Sequence, residues 1–193
     1  MRRFAIAAAL LFVAPAALRS QEKGAHDAGL EAVLAAARPG AGHARLKPLE
    51  GSFDVEMKAF AAPGVPPTIT SARAEKKLIL GGRFLEETFS GEIMGMPIEG
   101  RGFLGYDNEK SRYVHSWMDT FSSGIQVAEG TFDPDGRVFT LEADRKEVMT
   151  GAVRRMREVT RIVDADTHVF EMFVVAPDGS AFRTFELTHT RRR

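Results

Sequence analysis

The sequence predicts an all-β fold, an up-and-down antiparallel β-barrel of about ten strands preceded by a short helix. Three observations predict it. From residue 51 onward apolar and polar residues alternate with a period near two, segments of about ten residues recur between turn residues, and no long helical segment interrupts them. A meandering sheet of that many strands with one apolar face curls and closes, because closure removes its unpaired edges.

The chain opens on Met1-Arg2-Arg3, an apolar run from Phe4 to Val13, and then Ala14-Pro15-Ala16-Ala17-Leu18-Arg19-Ser20. A basic start, a short apolar run and small residues are the plan of a secretory signal peptide, so residues 1–20 are expected to direct export to the periplasm or beyond. Cleavage is expected after Ala16, which completes an Ala-x-Ala pattern, or after Ser20. The run is shorter than the about 20 apolar residues of a spanning helix, so no transmembrane segment is expected. Residues 21–42 read as a short helix and linker. Asp27 can cap a helix whose Leu30, Val33, Leu34 and Ala37 share a face, and Arg38-Pro39-Gly40 stops it.

The remaining residues, 43–193, form the barrel domain. Its strands are expected at 51–61, 68–80, 82–92, 98–107, 110–120, 124–133, 136–145, 150–164, 167–176 and 179–190. Gly81-Gly82, Asp107-Asn108-Glu109-Lys110, Ser122-Ser123-Gly124, Asp133-Pro134-Asp135-Gly136 and Pro177-Asp178-Gly179 supply tight-turn residues at the joins. Such short joins make neighbouring strands antiparallel in chain order.

Lysine plus arginine and aspartate plus glutamate number 26 each, which argues against nucleic acid as a partner, since phosphate binding needs a net basic footprint. The Arg191-Arg192-Arg193 tail reads as a solvated end. There is no cysteine, so disulfides, thiolate metal sites and thiol nucleophiles are excluded. Roughly 170 residues remain without the signal, enough for one domain to stand on its core alone.

Pro39-Gly40-x-x-His43-x-x-Leu46-x-x-Leu49-x-Gly51-x-Phe53 leads into the first strand. Leu80-Gly81-Gly82-Arg83-Phe84-Leu85, Gly95-x-Pro97-x-x-Gly100, Gly105-Tyr106-Asp107, Trp117-Met118-Asp119-Thr120 and Gly130-x-x-Asp133-x-x-Gly136 follow in order. Together these resemble the DUF1579 family, a bacterial group of unknown function within the lipocalin-like (calycin) superfamily. The resemblance runs from about residue 39 to the end. It implies a barrel whose floor is closed by a short helical turn, with an aromatic packed inside at Gly51-Ser52-Phe53. Phe53 stands where such barrels carry tryptophan, and phenylalanine has no indole N–H to donate. Arg191 is the possible counterpart of the arginine that packs over that aromatic. The family implies no reaction.

The histidines at 26, 43, 115, 168 and 189 show no catalytic or metal-ligating spacing, and no metal or cofactor is expected. A haem bound through His115 or His168 is a minor alternative. Met94 and Met96 offer soft ligands, but a flexible apolar rim is the simpler reading. Gly81-Gly82 and Gly100-x-Gly102 read as turns and bulges.

In the fifth strand Tyr113, His115, Trp117 and Asp119 alternate and must share one side of the sheet. Facing the lumen, they would give an apolar pocket a few placed polar groups; facing out, they would be surface. Glu129, Glu171 and Glu186, with Arg155, Arg157 and Arg161, share faces with apolar residues. They form either a lumenal Glu–Arg network, with Arg157 and Glu171 orienting a ligand head, or a solvated outer face. The candidate ligand-binding residues are therefore Tyr113, His115, Trp117, Asp119, Arg157 and Glu171. The preferred expectation is a non-enzymatic exported protein holding a small, largely apolar molecule. The alternatives are an enzyme using His115 with Asp119 or a lumenal glutamate, and a filled barrel acting through its surface. Ligand identity and oligomeric state stay open.

Overall fold

A computed structural model describes residues 27–146 and 151–193. The expected signal peptide and its cleavage site lie outside the described residues. The chain divides at Arg38/Pro39 into two units. In the first, residues 27–36 form helix α1, ending within two residues of the predicted stop. The second, Pro39–Arg193, is the barrel. Among the described residues no helix is long and apolar enough to cross a membrane.

Ten strands close into one antiparallel barrel: β1 Gly51–Ala59, β2 Thr68–Ile79, β3 Phe84–Ile93, β4 Met96–Asp107, β5 Arg112–Asp119, β6 Gln126–Phe132, β7 Val138–Lys146, β8 Val153–Ile162, β9 Thr167–Val175 and β10 Ala181–Arg191. Each pairs with its chain neighbours, and β10 closes the ring on β1 with Phe53 opposite Arg191 and Val55 opposite His189. All ten overlap the expected segments. The largest difference lies at β8, which runs Val153–Ile162 inside the expected 150–164. At the β6–β7 turn, Asp133 Oδ1 accepts from the backbone N–H groups of Arg137 and Val138 at 2.7 and 2.9 Å. That short polar side chain satisfies donors a tight turn leaves unpaired, so the hairpin forms where Asp133 and Gly136 stand.

Residues 39–50 plug one end. Helix α2, Ala41–Ala44, and a 3₁₀ turn, Lys47–Leu49, drive Leu46 and Leu49 into the barrel, 0% and 2% exposed. Gly42 lets the plug approach, because a Cβ there would sit 2.5 Å from the Tyr106 ring. Tyr113 Oη donates to the Gly42 carbonyl at 2.9 Å, tying plug to wall. Leu46 and Leu49 pack with Leu85, Tyr113, Phe139 and Leu141 in a floor cluster.

Beside the floor, Phe53 is fully buried and the Arg191 guanidinium lies 4.9 Å from its ring centre. Arg191 also donates to the carbonyls of Glu50, Pro48 and Ala165 at 2.6, 3.0 and 3.2 Å. Gly51 makes room for it: its φ is +145°, and a Cβ would stand 2.1 Å from Arg191 Nη1. The motif Gly51-x-Phe53 and Arg191 are thus one device. A charged fork satisfies the last carbonyls of the plug while its face covers an aromatic.

Candidate functional site: the barrel interior

Alternation puts one row of each strand inside. These rows leave a cavity of about 330 Å³, so the barrel is not filled by its own side chains. Its walls are mostly apolar: Met57, Leu85, Phe89, Ile93, Ile98, Leu104, Trp117, Phe139, Leu141, Phe170, Met172, Phe185 and Leu187. The polar members are Lys76, Glu87, His115, Asp119, Gln126, Arg145, Glu158, Thr160 and His189. A hollow of about 600 Å³ on the outer wall, beside Arg73, Glu75, Glu99 and Arg101, is more open and more polar.

Gly100 and Gly102 lie within β4, where the sequence reading placed turns or bulges. A Cβ at Gly100 would be 2.2 Å from the Trp117 ring, and one at Gly102 would be 2.8 Å from it and 3.1 Å from His115 Nε2. The two glycines are flat spaces against which β5 lays its large side chains.

The β5 row turns inward. His115, Trp117 and Asp119 line the cavity, while Tyr113 is buried one step deeper in the floor cluster. Trp117 Nε1 donates to Asp119 Oδ2 at 2.8 Å, so this carboxylate serves the indole rather than the imidazole. His115 Nδ1 instead meets Glu158 Oε2 at 2.7 Å. Burial alone would lower the His115 pKa, but the Glu158 carboxylate, with Glu87 beyond it, outweighs burial and raises it above 6.5.

Arg157 and Glu171 are placed differently from expectation, since neither lines the cavity. Glu158 and Phe170 occupy the inner rows of β8 and β9, so their neighbours must point out. Arg157 Nε donates to Glu142 Oε1 at 2.9 Å, and Glu171 accepts from Arg161 at 3.2 Å and Arg183 at 2.7 Å. Glu129 and Glu186 join Lys110 and Lys58 on the same outer wall. The Glu–Arg network therefore exists, on the outside.

The inner polar group missed from sequence joins four strands. Lys76 Nζ lies 3.2 Å from Glu87 Oε2 and 3.1 Å from His168 Nε2. Lys76 can only donate, so His168 accepts through Nε2 and carries its proton on Nδ1. With Nε2 engaged, that ring is not offered to an axial ligand site. His168 stacks on His189 at 4.2 Å between ring centres, and Phe53 meets His168 edge-on at 4.7 Å. Burial lowers the pKa of His168 and Lys76 lowers it further. Burial and Lys76 lower His189 too, against the opposing pull of Glu87 and the Leu187 backbone. Both imidazoles are neutral at pH 7.

Burial would raise the Glu87 pKa, but the Lys76 ammonium, His189 and His115 outweigh it and hold the carboxylate at about 2. His189 is 1% exposed, and neither of its nitrogens makes a hydrogen bond of good geometry among the described residues. Its Nε2 stands 3.9 Å from Glu87 Oε1, beyond hydrogen-bond reach. Among the described residues no group of three or more His, Cys, Asp or Glu side chains is arranged to hold a metal ion.

Alternation with buried-looking neighbours could have found three of its members one by one: Lys76 shares a row with Ala72 and Ala74, Glu87 with Leu85 and Phe89, and His189 with Phe185 and Leu187.

Two solved structures are similar in fold. Rv2717c from M. tuberculosis matches with a TM-score of 0.57 and 18% identity, over 81% of this chain and 100% of its own. The S-type phycobiliprotein lyase CPES from Guillardia theta matches with a TM-score of 0.55 and 12% identity, over 80% of this chain and 99% of its own. No curated protein matches the chain in sequence. The model of a protein family of unknown function, DUF1579, matches residues 38–191. With that match spanning the plug, all ten strands and the Gly51–Phe53–Arg191 device, this chain belongs to the DUF1579 family and folds as a lipocalin-like barrel.

Proposed function

We propose that this protein is an exported carrier that holds a small, largely apolar ligand inside its barrel. The observation that carries the reading is the cavity of about 330 Å³ inside the barrel, with predominantly apolar and aromatic walls. That volume falls at the small end of ligand pockets, about 300–1,000 Å³, and the apolar walls carry nine polar side chains able to place hydrogen bonds on a ligand. A barrel of this shape also serves the lyase from Guillardia theta, which supports the fold's suitability and no particular ligand. Export is supported by Arg2-Arg3 and the short apolar run behind them.

Two measurements test the reading. Native mass spectrometry of protein purified from its own host is expected to show a bound small molecule, and the neutral fluorophore N-phenyl-1-naphthylamine is expected to brighten on binding. If nothing co-purifies and the fluorophore stays dark, the carrier function is refuted. Fractionation with N-terminal sequencing is expected to find a mature chain starting at residue 17 or 21; an intact Met1 in the cytoplasm refutes export.

A second reading is favoured by one contact, the 2.7 Å pair of His115 and Glu158 facing the cavity. A carboxylate-oriented imidazole is the arrangement of a general acid or base. Any turnover found for a cavity-bound compound is expected to vanish in His115→Gln if this reading holds, and its survival there refutes it.

A further inference from the structure

The polar side chains of the cavity differ in what they leave unsatisfied. Lys76 and His115 each already face a carboxylate, Glu87 and Glu158. Arg145, towards the opposite end of the cavity, bonds Gln126 at 3.0 Å. What remains open is the pair His189 and Glu87. His189 is fully buried with both nitrogens unmet among the described residues, and Glu87 Oε1 is 3.9 Å from His189 Nε2. An oxygen atom at about 2.8 Å from each would span that gap, and because His189 is buried the two side chains must part slightly to admit it. It must accept from one side and donate to the other, because a neutral imidazole with its proton on Nε2 donates and a carboxylate only accepts.

We propose that His189 and Glu87 form a receptor for a neutral hydroxyl group, so the ligand of this cavity is an uncharged apolar alcohol rather than a fatty-acid anion. The assignment rests on the carrier reading above and names its ligand class. The hydroxyl accepts from His189 Nε2–H and donates to Glu87 Oε1, while the hydrocarbon lies along Leu187, Phe185 and Phe89. A carboxylate in the same place is excluded electrostatically. It would stand against the Glu87 carboxylate in a buried site where Lys76 already faces Glu87 and His115 already faces Glu158. An ether or ester oxygen accepts from His189 but leaves Glu87 without a proton. A water molecule can also fill the gap, and in that case a ligand hydroxyl confers no advantage.

Displacement of bound N-phenyl-1-naphthylamine at pH 7.5 separates these cases, using 1-decanol, decanoate and decyl methyl ether. Decanol is expected to displace it at a concentration at least tenfold lower than either of the others, the discrimination that hydrogen bonds to a charged group supply. Glu87→Gln is expected to reverse the order, since Lys76 then lacks its counter-charge and welcomes decanoate. His189→Phe is expected to erase the decanol preference while retaining the fluorophore. Decanoate binding as tightly as decanol to the wild-type protein overturns the assignment, as it would place the head group at Arg145. Decyl methyl ether equalling decanol overturns it in favour of bound water. Fluorophore binding with no displacement by decanol overturns it while leaving the carrier function standing; absence of fluorophore binding removes both. The wild-type comparison does not depend on either variant folding.

Discussion

Replacing Lys76 with methionine removes a charge of which only 8% is exposed and leaves Glu87, 18% exposed, without its partner. At their 3.2 Å separation the attraction is about 5 kcal/mol for an effective dielectric near 20, and most of it offsets the desolvation of the two groups. Breaking such a pair from one side costs about 3–5 kcal/mol, because the remaining charge stays buried. Lys76→Met also orphans His168 Nε2. The double variant Lys76→Met/Glu87→Gln removes both charges at nearly constant volume and is expected to recover to within about 1–2 kcal/mol of wild type. Urea unfolding followed through Trp117, the single tryptophan, measures all three proteins.

The pH dependence is a second arm. In the wild type Glu87 is held at about 2, below its ordinary 4.5, so its stabilisation is complete above pH 4.5 and is lost as pH falls towards 2. Without Lys76, burial dominates and pushes the carboxyl above 4.5, so the variant loses stability as pH rises beyond that value. Relative to the double variant, Lys76→Met is therefore expected to weaken from pH 5 to pH 8, opposite in slope to the wild-type contribution. A Lys76→Met protein within 0.5 kcal/mol of wild type, or a double variant no more stable than Lys76→Met, would refute the reasoning.

Arg191→Lys keeps the charge but loses the planar fork that reaches three carbonyls, and is expected to cost about 2 kcal/mol and lower Tm by about 4–8 °C; an unchanged melting curve contradicts this. Gly130→Ala puts a Cβ 1.9 Å from the Thr140 carbonyl oxygen and 2.7 Å from Leu141 Cα, both backbone atoms, so β6 and β7 must part. A loss of at least about 3 kcal/mol is expected by thermal or urea unfolding, and a normally stable variant shows that the strands have more give than described. Leu104→Trp fills the cavity from its wall and is expected to weaken fluorophore binding at least tenfold while the far-UV spectrum stays that of a β-barrel; undiminished binding in a folded variant places the ligand elsewhere.

Strand order was legible because each hairpin carries its own turn chemistry, and β5 was legible as an aromatic row whose direction, inward or outward, alternation left open. The outer Arg157 and Glu171 were misread for a definite reason. On β8 and β9 the outward rows contain Val159, Val169 and Phe173 beside the charges, while the inward rows contain Glu158, Thr160 and His168. Neither face is plainly apolar, so alternation alone does not say which is inside. Lys76, Glu87, His168 and His189 were illegible as a group because they belong to β2, β3, β9 and β10. Only closure of β10 on β1 brings them together.

That closure has a consequence for the life of the chain before it is folded. The first strand waits for the last: Phe53 and Val55 find their partners only once Arg191 and His189 are present. Until then β1 is an unpaired edge at one side of a growing ribbon, and the buried ion pair lacks the wall that seals it. Long-range pairing of this kind makes folding late and slow compared with local hairpin formation. A barrel that closes only with β10 needs protection from its neighbours until that strand is in place, and under the export proposed above the same delay would leave the chain pliable enough to thread a translocation pore.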